Sequence, residues 1–272
     1  MKLIESKVEV IEQQPGLEGM YKQIELAGRT CYKSEDKITE DSAKAFVDRM
    51  IKSKHGAMLE HGTVYLLIHA LNYFPDLEEF NTNPYIKVVY YNRNWYITTN
   101  LRVLVENDWL DYLGYICNPT EHHEKRITAR FTCDRGVSHE IVRHRVMSFA
   151  QESQRYVGYD KEKFGGEVTF VKPHWYDEEF PACLTWIESL KESEKKYLEL
   201  REAGLKPQDA RGVLPNATKT EIVVTGFESD WEHFFELRTA KSAHPDCVKL
   251  AVELKQKLTD NGYEFNENLE NN

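Results

Sequence analysis

At 272 residues, 41% of them hydrophobic, the chain can fill one large domain or two small ones, and disorder is expected only at the ends. The 35 basic and 45 acidic residues leave a net charge of −10, which excludes general binding to nucleic acid or acidic membranes, so any anion site must be local. Five scattered cysteines without a CxxC pair exclude a disulfide scaffold and a structural zinc site. With no apolar run near membrane-span length and no secretory h-region, the chain reads as soluble and cytoplasmic.

The opening "KLIESKVEVIEQ" has strand spacing at Leu3, Val8 and Val10, and "LEGMYKQIELAGRTCY" reads as a helix entering a turn. Thr39 is a candidate N-cap for a second helix carrying Ala43, Phe46, Val47, Met50 and Ile51, expected to stop near Gly56. The β-branched and aromatic stretches at 63–71 and 126–133 predict two strands of one sheet. Between them, "YIKVVYYNRNWYITTN" predicts a hairpin turning at Asn92 to Asn94, and "LRVLVENDWLDYLGY" a helix. No Gly/Ser/Pro linker sets 71–125 apart, so it is expected as an insertion decorating a single 1–272 domain.

The second half is more helical. A long amphipathic helix is expected up to Gly204, with Pro207 in the first turn of the next. A strand at 220–227 precedes two closing helices and a frayed tail at 266–272. The expected fold class is α+β, a single domain with a central, largely antiparallel sheet packed against long helices.

The stretch "RHRVMSFAQESQRY", 143–156, is dense in donors. Helical residues lie about 100° apart, so if the triplet is helical at least one of Arg143, His144 and Arg145 points inward, and a buried arginine needs an anion. The triplet is expected where its helix ends, at a loop starting near Val146. If the loop is extended, Ser153 and Arg155 project to one side, where a guanidinium fork suits phosphate. Gln151 and Gln154 could then read a planar base. The pattern suits a nucleotide monophosphate.

Other stretches are weaker alone. Arg238 lies one helical turn from His233, which is also the pattern of a snorkelling arginine, and Arg211 sits in "ARGVLP". His55, Glu60 and His61 invite a metal-dependent hydrolase, but their spacing is not that of a helical zinc site, and no metal is expected.

Together these residues resemble the flavin-dependent thymidylate synthases. That family is marked by Arg-His-Arg, seven residues, then Ser, matched here by Arg143, His144, Arg145 and Ser153. "KHGAMLEH", "ARGVLP" and "HFFELR" extend the resemblance over residues 27 to about 250. It implies that dUMP is methylated at C5 in dTMP biosynthesis, with methylenetetrahydrofolate as carbon donor and NADPH as reductant through noncovalent FAD. It also implies a homotetramer with shared active sites. Fixed cations and donors would stabilise charge on the flavin and on the uracil carbonyls.

Position by position, the resemblance places Arg143, His144, Arg145, Gln151, His233 and Glu60 on FAD. Glu140, Arg143, Gln151, Glu152, Ser153, Gln154, Arg155, Arg211 and Arg238 fall on dUMP. Arg155 and Arg211 take the phosphate, Arg238 faces the pyrimidine, and Ser153 orients substrate. The chain departs from the pattern at Cys31 for a common serine, Glu140 for a glutamine, Ser242 for a histidine, and in "TGFESDW", which lacks an Asn and an Arg used on the adenine side. The rival class is a noncatalytic nucleotide- or flavin-binding homologue.

Overall fold

A computed structural model describes residues 1–72, 74–161 and 165–266. Lys2–Ile4 (β1) and Lys7–Ile11 (β2) lead into helices Gly16–Tyr32 (α1), Ser42–Lys52 (α2) and Gly56–Leu59 (α3). Thr63–His69 (β3), Leu77–Thr82 (α4), Lys87–Tyr91 (β4), Asn94–Asn100 (β5) and Leu101–Glu106 (α5) follow. Next come Arg126–Asp134 (β6), Arg135–Ile141 (α6), Ser148–Gln151 (β7) and Thr169–Val171 (β8). The chain closes with Pro181–Glu202 (α7), Pro207–Ala210 (α8), Lys219–Phe227 (β9), Glu228–Arg238 (α9) and Pro245–Asp260 (α10).

The architecture is α+β, centred on an antiparallel sheet in the order β2-β6-β9-β7. Its longest pairing runs from Arg126 opposite Phe227 to Asp134 opposite Lys219. Side chains alternate along a strand, so Ile127, Ala129, Phe131 and Cys133 share one face, joined by Ile222 and Val224 of β9. Helices α9 and α10 cover that face with Trp231, Phe234, Phe235, Leu250, Leu254 and Leu258, all essentially sealed from water. Each such side chain contributes roughly 1.5–3 kcal/mol by burial. The opposite face receives α1, where Ala27 meets Ala150 and Val223. Gly28 permits a close helix crossing, since a Cβ there would sit 2.4 Å from the Phe46 ring.

Several sequence expectations are corrected. The opening stretch is two strands in different sheets: β1 pairs with β8, while β2 joins the central sheet. The strands at 63–71 and 126–133 also belong to different sheets, because β3 pairs with β5 in the order β3-β5-β4. Side chains bridge the seam: Gln13 bonds both backbone groups of Thr63 at 2.8 Å, and the Arg126 N–H donates to the Tyr65 hydroxyl. Asp41, not Thr39, takes the N-cap position of α2, with no side-chain cap bond, and the helix ends at Lys52; Gly56 begins α3. The helix expected at 101–115 breaks after α5, where Asp108 turns left-handed, and resumes as a 3₁₀ turn at Leu110–Tyr115.

The hairpin is as expected. Asn92 and Arg93 both have positive φ, the two-residue turn that matches strand twist. Segment 71–125 is more than decoration, because Ile97, Leu101 and Leu104 share a core with Met20 and Ile24 of α1. Helix α7 ends just before Gly204, and Pro207 opens α8. Apart from Asn266, the expected frayed tail lies outside the described residues.

Candidate functional site

Two polar clusters assemble where the central sheet meets α6 and the loop after β7. The first begins at Asp134, whose carboxylate accepts the Val137 N–H at 2.6 Å and starts α6. The helix stops at Ile141, and residues 142–147 turn back into β7. The Arg-His-Arg triplet therefore lies in a return turn, not on a helix. Its buried member is His144, while Arg143 and Arg145 are exposed. The buried arginine expected from helical geometry does not occur here, because the turn points both guanidinium groups outward.

Arg238, the last residue of α9, meets this turn. Its Nε donates to His144 Nε2 at 3.0 Å, Nη1 to Glu140 Oε2 at 2.7 Å and Nη2 to the Glu140 carbonyl at 3.0 Å. Its side chain is 13% exposed and pinned, unlike a snorkelling arginine. The His144 ring packs on Phe234 at 4.9 Å and lies 6.0 Å from the exposed His233 ring. Burial, then the Arg238 charge and His233, push His144 down to about 4 against the opposing pull of Glu140, so the imidazole is neutral at ordinary pH.

The second cluster follows β7. The Gln151 amide donates to Ser138 Oγ at 2.8 Å and Thr220 Oγ1 at 3.2 Å, so its NH₂ faces the protein, not a base edge. Glu152 is 3% exposed and paired with Lys219 at 2.8 Å. Lys219 and Lys33 both hold Glu221. Burial would raise Glu221, but the two lysines outweigh it and hold the carboxyl at about 2. Tyr159, whose phenol burial pushes upward, joins Lys33, Glu152 and Lys219 around a cavity of about 360 Å³.

The loop beyond Glu152 is a turn, not extended. The Tyr156 and Val157 N–H groups donate to the Ser153 carbonyl, and the Ser153 hydroxyl accepts the Arg155 N–H at 3.3 Å. The expected one-sided projection of Ser153 and Arg155 is thus replaced by a capped turn, pinned to α1 by the Ser153 N–H on the Cys31 carbonyl. Arg155 is exposed above the Tyr156 ring, and Gln154 is half-buried. Arg211 opens a 3₁₀ turn after α8 and helps burial to lower Arg135.

The structure thus unites Glu140, His144, His233 and Arg238. Glu60 stands apart, paired with Arg102. His61 is sealed beneath the sheet, bonded to Thr225 at 2.9 Å and pushed down to about 3 chiefly by burial. His55 is exposed at the start of α3, so these two histidines do not converge. Sequence reading missed Lys33, Lys219, Ser138 and Tyr159. Lys219 and Glu221 carried a signal, since alternate residues of one strand share a face.

Among known proteins, the family described as "Thymidylate synthase complementing protein" matches residues 118–261, just over half of the chain. A flavin-dependent thymidylate synthase of Thermococcus kodakarensis is 34% identical over 149 residues, 55% of this chain and 60% of that protein. Its Mycobacterium bovis counterpart is 37% identical over 133 residues, covering 46% and 53%. The Corynebacterium glutamicum protein of the same name is 26% identical over 265 residues, covering 91% and 79%. The match to the archaeal relatives thus spans about half to three-fifths of their length. A crystal structure of the UMP/dUMP methylase PolB from Streptomyces cacaoi, bound with 5-Br dUMP, superposes with a TM-score of 0.46 at 17% identity, over 96% of this chain and 93% of that one. The family match runs through the Arg-His-Arg turn, its serine loop and Arg238, and the chain belongs to the thymidylate synthase complementing protein family.

Proposed function

We propose that this chain is a flavin-dependent thymidylate synthase that methylates dUMP at C5 to dTMP, with methylenetetrahydrofolate as carbon donor and NADPH as reductant. The observation that carries the reading is the meeting of His144 and Arg238, two residues that match the family pattern, with Glu140, at a position where the chain departs from it, through bonds of 2.7–3.0 Å. Two exposed guanidinium groups beside a neutral imidazole, on a chain of net charge −10, fit the pyrophosphate and ring edge of FAD. Bound there, FAD supplies hydride transfer between NADPH and the one-carbon unit.

In this reading Arg143, His144, Arg145 and His233 contact FAD, and Arg238 lies beside the pyrimidine. Ser153, Gln154 and Arg155 form the dUMP loop, with Arg155 and Arg211 on the phosphate. Gln151 and Glu152 hold that loop through Ser138 and Lys219. A homotetramer with shared sites is part of the same proposal. His144 and Arg238 bond within one chain, which leaves the exposed Arg143 and Arg145 to reach a neighbouring subunit. Among the described residues no helix is long and apolar enough to cross a membrane.

The test is dTMP formation by purified protein given FAD, NADPH, methylenetetrahydrofolate and dUMP. Product should appear with the complete set and vanish when any one is withheld. Protein that gains flavin absorbance yet forms no dTMP would establish the noncatalytic homologue instead.

A further inference from the structure

We propose that Arg238 and Glu140 are positioning residues that hold His144 as its Nδ1–H tautomer, so that the imidazole meets a ligand as a hydrogen-bond donor and not as a base. An arginine cannot accept a hydrogen bond. The 3.0 Å contact from Arg238 Nε therefore requires a lone pair on His144 Nε2, and a neutral imidazole must then carry its proton on Nδ1. Protonating the ring would set an N–H against an N–H and one cation against another. His144 is 7% exposed, so little water could relieve that conflict.

Every ionisable neighbour facing the ring bears on this state. Arg238 and His233 from α9 disfavour the imidazolium, and Glu140 from α6 favours it, with the Phe234 ring as the apolar wall. The sum favours the neutral form. Glu140 also fixes the direction of the Arg238 fork, because its carboxylate takes Nη1 while its backbone carbonyl takes Nη2. Both acceptors belong to the last turn of the helix that delivers the triplet. An ionised carboxylate only accepts, whereas a glutamine amide could flip and present its NH₂ to the guanidinium.

The other ring nitrogen completes the argument. Among the described residues Nδ1 makes no hydrogen bond, yet it is not one of the polar atoms sealed without a partner. Nδ1 is therefore a donor whose direction is fixed by the Nε2 contact and which is not sealed from a ligand, suited to a carbonyl or anionic oxygen. The tautomer follows from the chain's own contacts; only the identity of that oxygen, on flavin or pyrimidine, rests on the proposed function.

The test is ¹⁵N NMR of the purified protein labelled at histidine, with His144 assigned by the signals lost in His144→Gln. Wild type should show a protonated Nδ1 and a lone-pair Nε2, unchanged from pH 5.5 to 8. Arg238→Met keeps length without donors. Its His144 signals should average between tautomers and titrate at least one pH unit higher, towards the ordinary value of about 6.5. Glu140→Gln should keep the Nδ1–H form and titrate lower. A role that is merely structural would leave the His144 titration unmoved in both variants and its tautomer unmoved in Arg238→Met. A protonated Nε2 in wild type, or an unchanged His144 in Arg238→Met, overturns the proposal. The wild-type spectrum decides even if a variant fails to fold. An Nδ1–H signature in a protein that binds no flavin would sink the proposed function and leave this assignment standing.

Discussion

The turn at 142–147 and the loop at 151–156 are equally rich in polar groups, but they dispose of them in opposite ways. In the turn, one imidazole is locked inward by Arg238 while Arg143 and Arg145 stand in solvent. In the loop, Glu152 is buried against Lys219, the Gln151 amide is spent on Ser138, and Ser153 caps its own turn. The first region leaves two guanidinium groups in solvent, and the second, apart from the exposed Arg155, spends its polar groups on holding a backbone shape. Similar composition thus stays exposed in one place, where the proposed function needs it, and serves architecture in the other.

The largest effect should come from breaking the architectural side. Lys219→Met leaves Glu152 buried beside the more distant Lys33, at 3.8 Å, and should cost about 3–5 kcal/mol of stability in urea unfolding. A loss below about 1 kcal/mol would mean that water or Lys33 already serves Glu152.

Acid should act next. His61 and His144 are both held below the ordinary histidine value, to about 3 and about 4, so the unfolded chain binds their protons first as pH falls. Their contribution is complete above about pH 6.5 and is lost progressively as pH falls towards 4 for His144 and 3 for His61. Glu221, held at about 2, adds a further loss below about 4.5. Chemical denaturation across pH 4–7.5 should therefore show stability rising with pH, and a flat profile would contradict neutral burial of both rings.

On the binding side, Arg143→Ala should change stability by no more than about 0.5 kcal/mol, as for other exposed residues. It should nevertheless weaken FAD retention about tenfold, or about 1.4 kcal/mol. Equal loss of stability and flavin would erase the contrast between the two regions. The smallest effect is expected for Arg155→Lys, which keeps charge but loses the bidentate fork. Affinity for dUMP should fall a few-fold in calorimetry with unfolding unchanged; unchanged affinity would remove Arg155 from the phosphate site.

Much of the fold was legible because local chemistry is strong there. The turn at Asn92 and Arg93, the stop before Gly204 and Pro207 opening α8 all follow from backbone preferences that act over two or three residues. Helix α10 declared itself by the spacing of Leu250, Leu254 and Leu258. Errors appeared where a local signal had a tertiary competitor. The strand pattern of β3 was correct, but nothing within seven residues says which neighbour completes its ladder, and the hairpin β4–β5 supplied it.

For the site, sequence alone determined which residue types are present and in what order: the triplet, its serine eight positions after Arg145, and the arginine that ends α9. It also determined the family, because that order is a one-dimensional property. Only the tertiary structure decided that the inward member of the triplet is histidine, that Arg238 reaches it across 94 positions, and that Glu152 answers to Lys219 across 67. Such pairings depend on which strand lies beside which and on the direction a turn gives its side chains. Neither is encoded in the spacing of the residues themselves, so the division between charges left in solvent and charges spent on the fold emerges only when the chain has closed on itself.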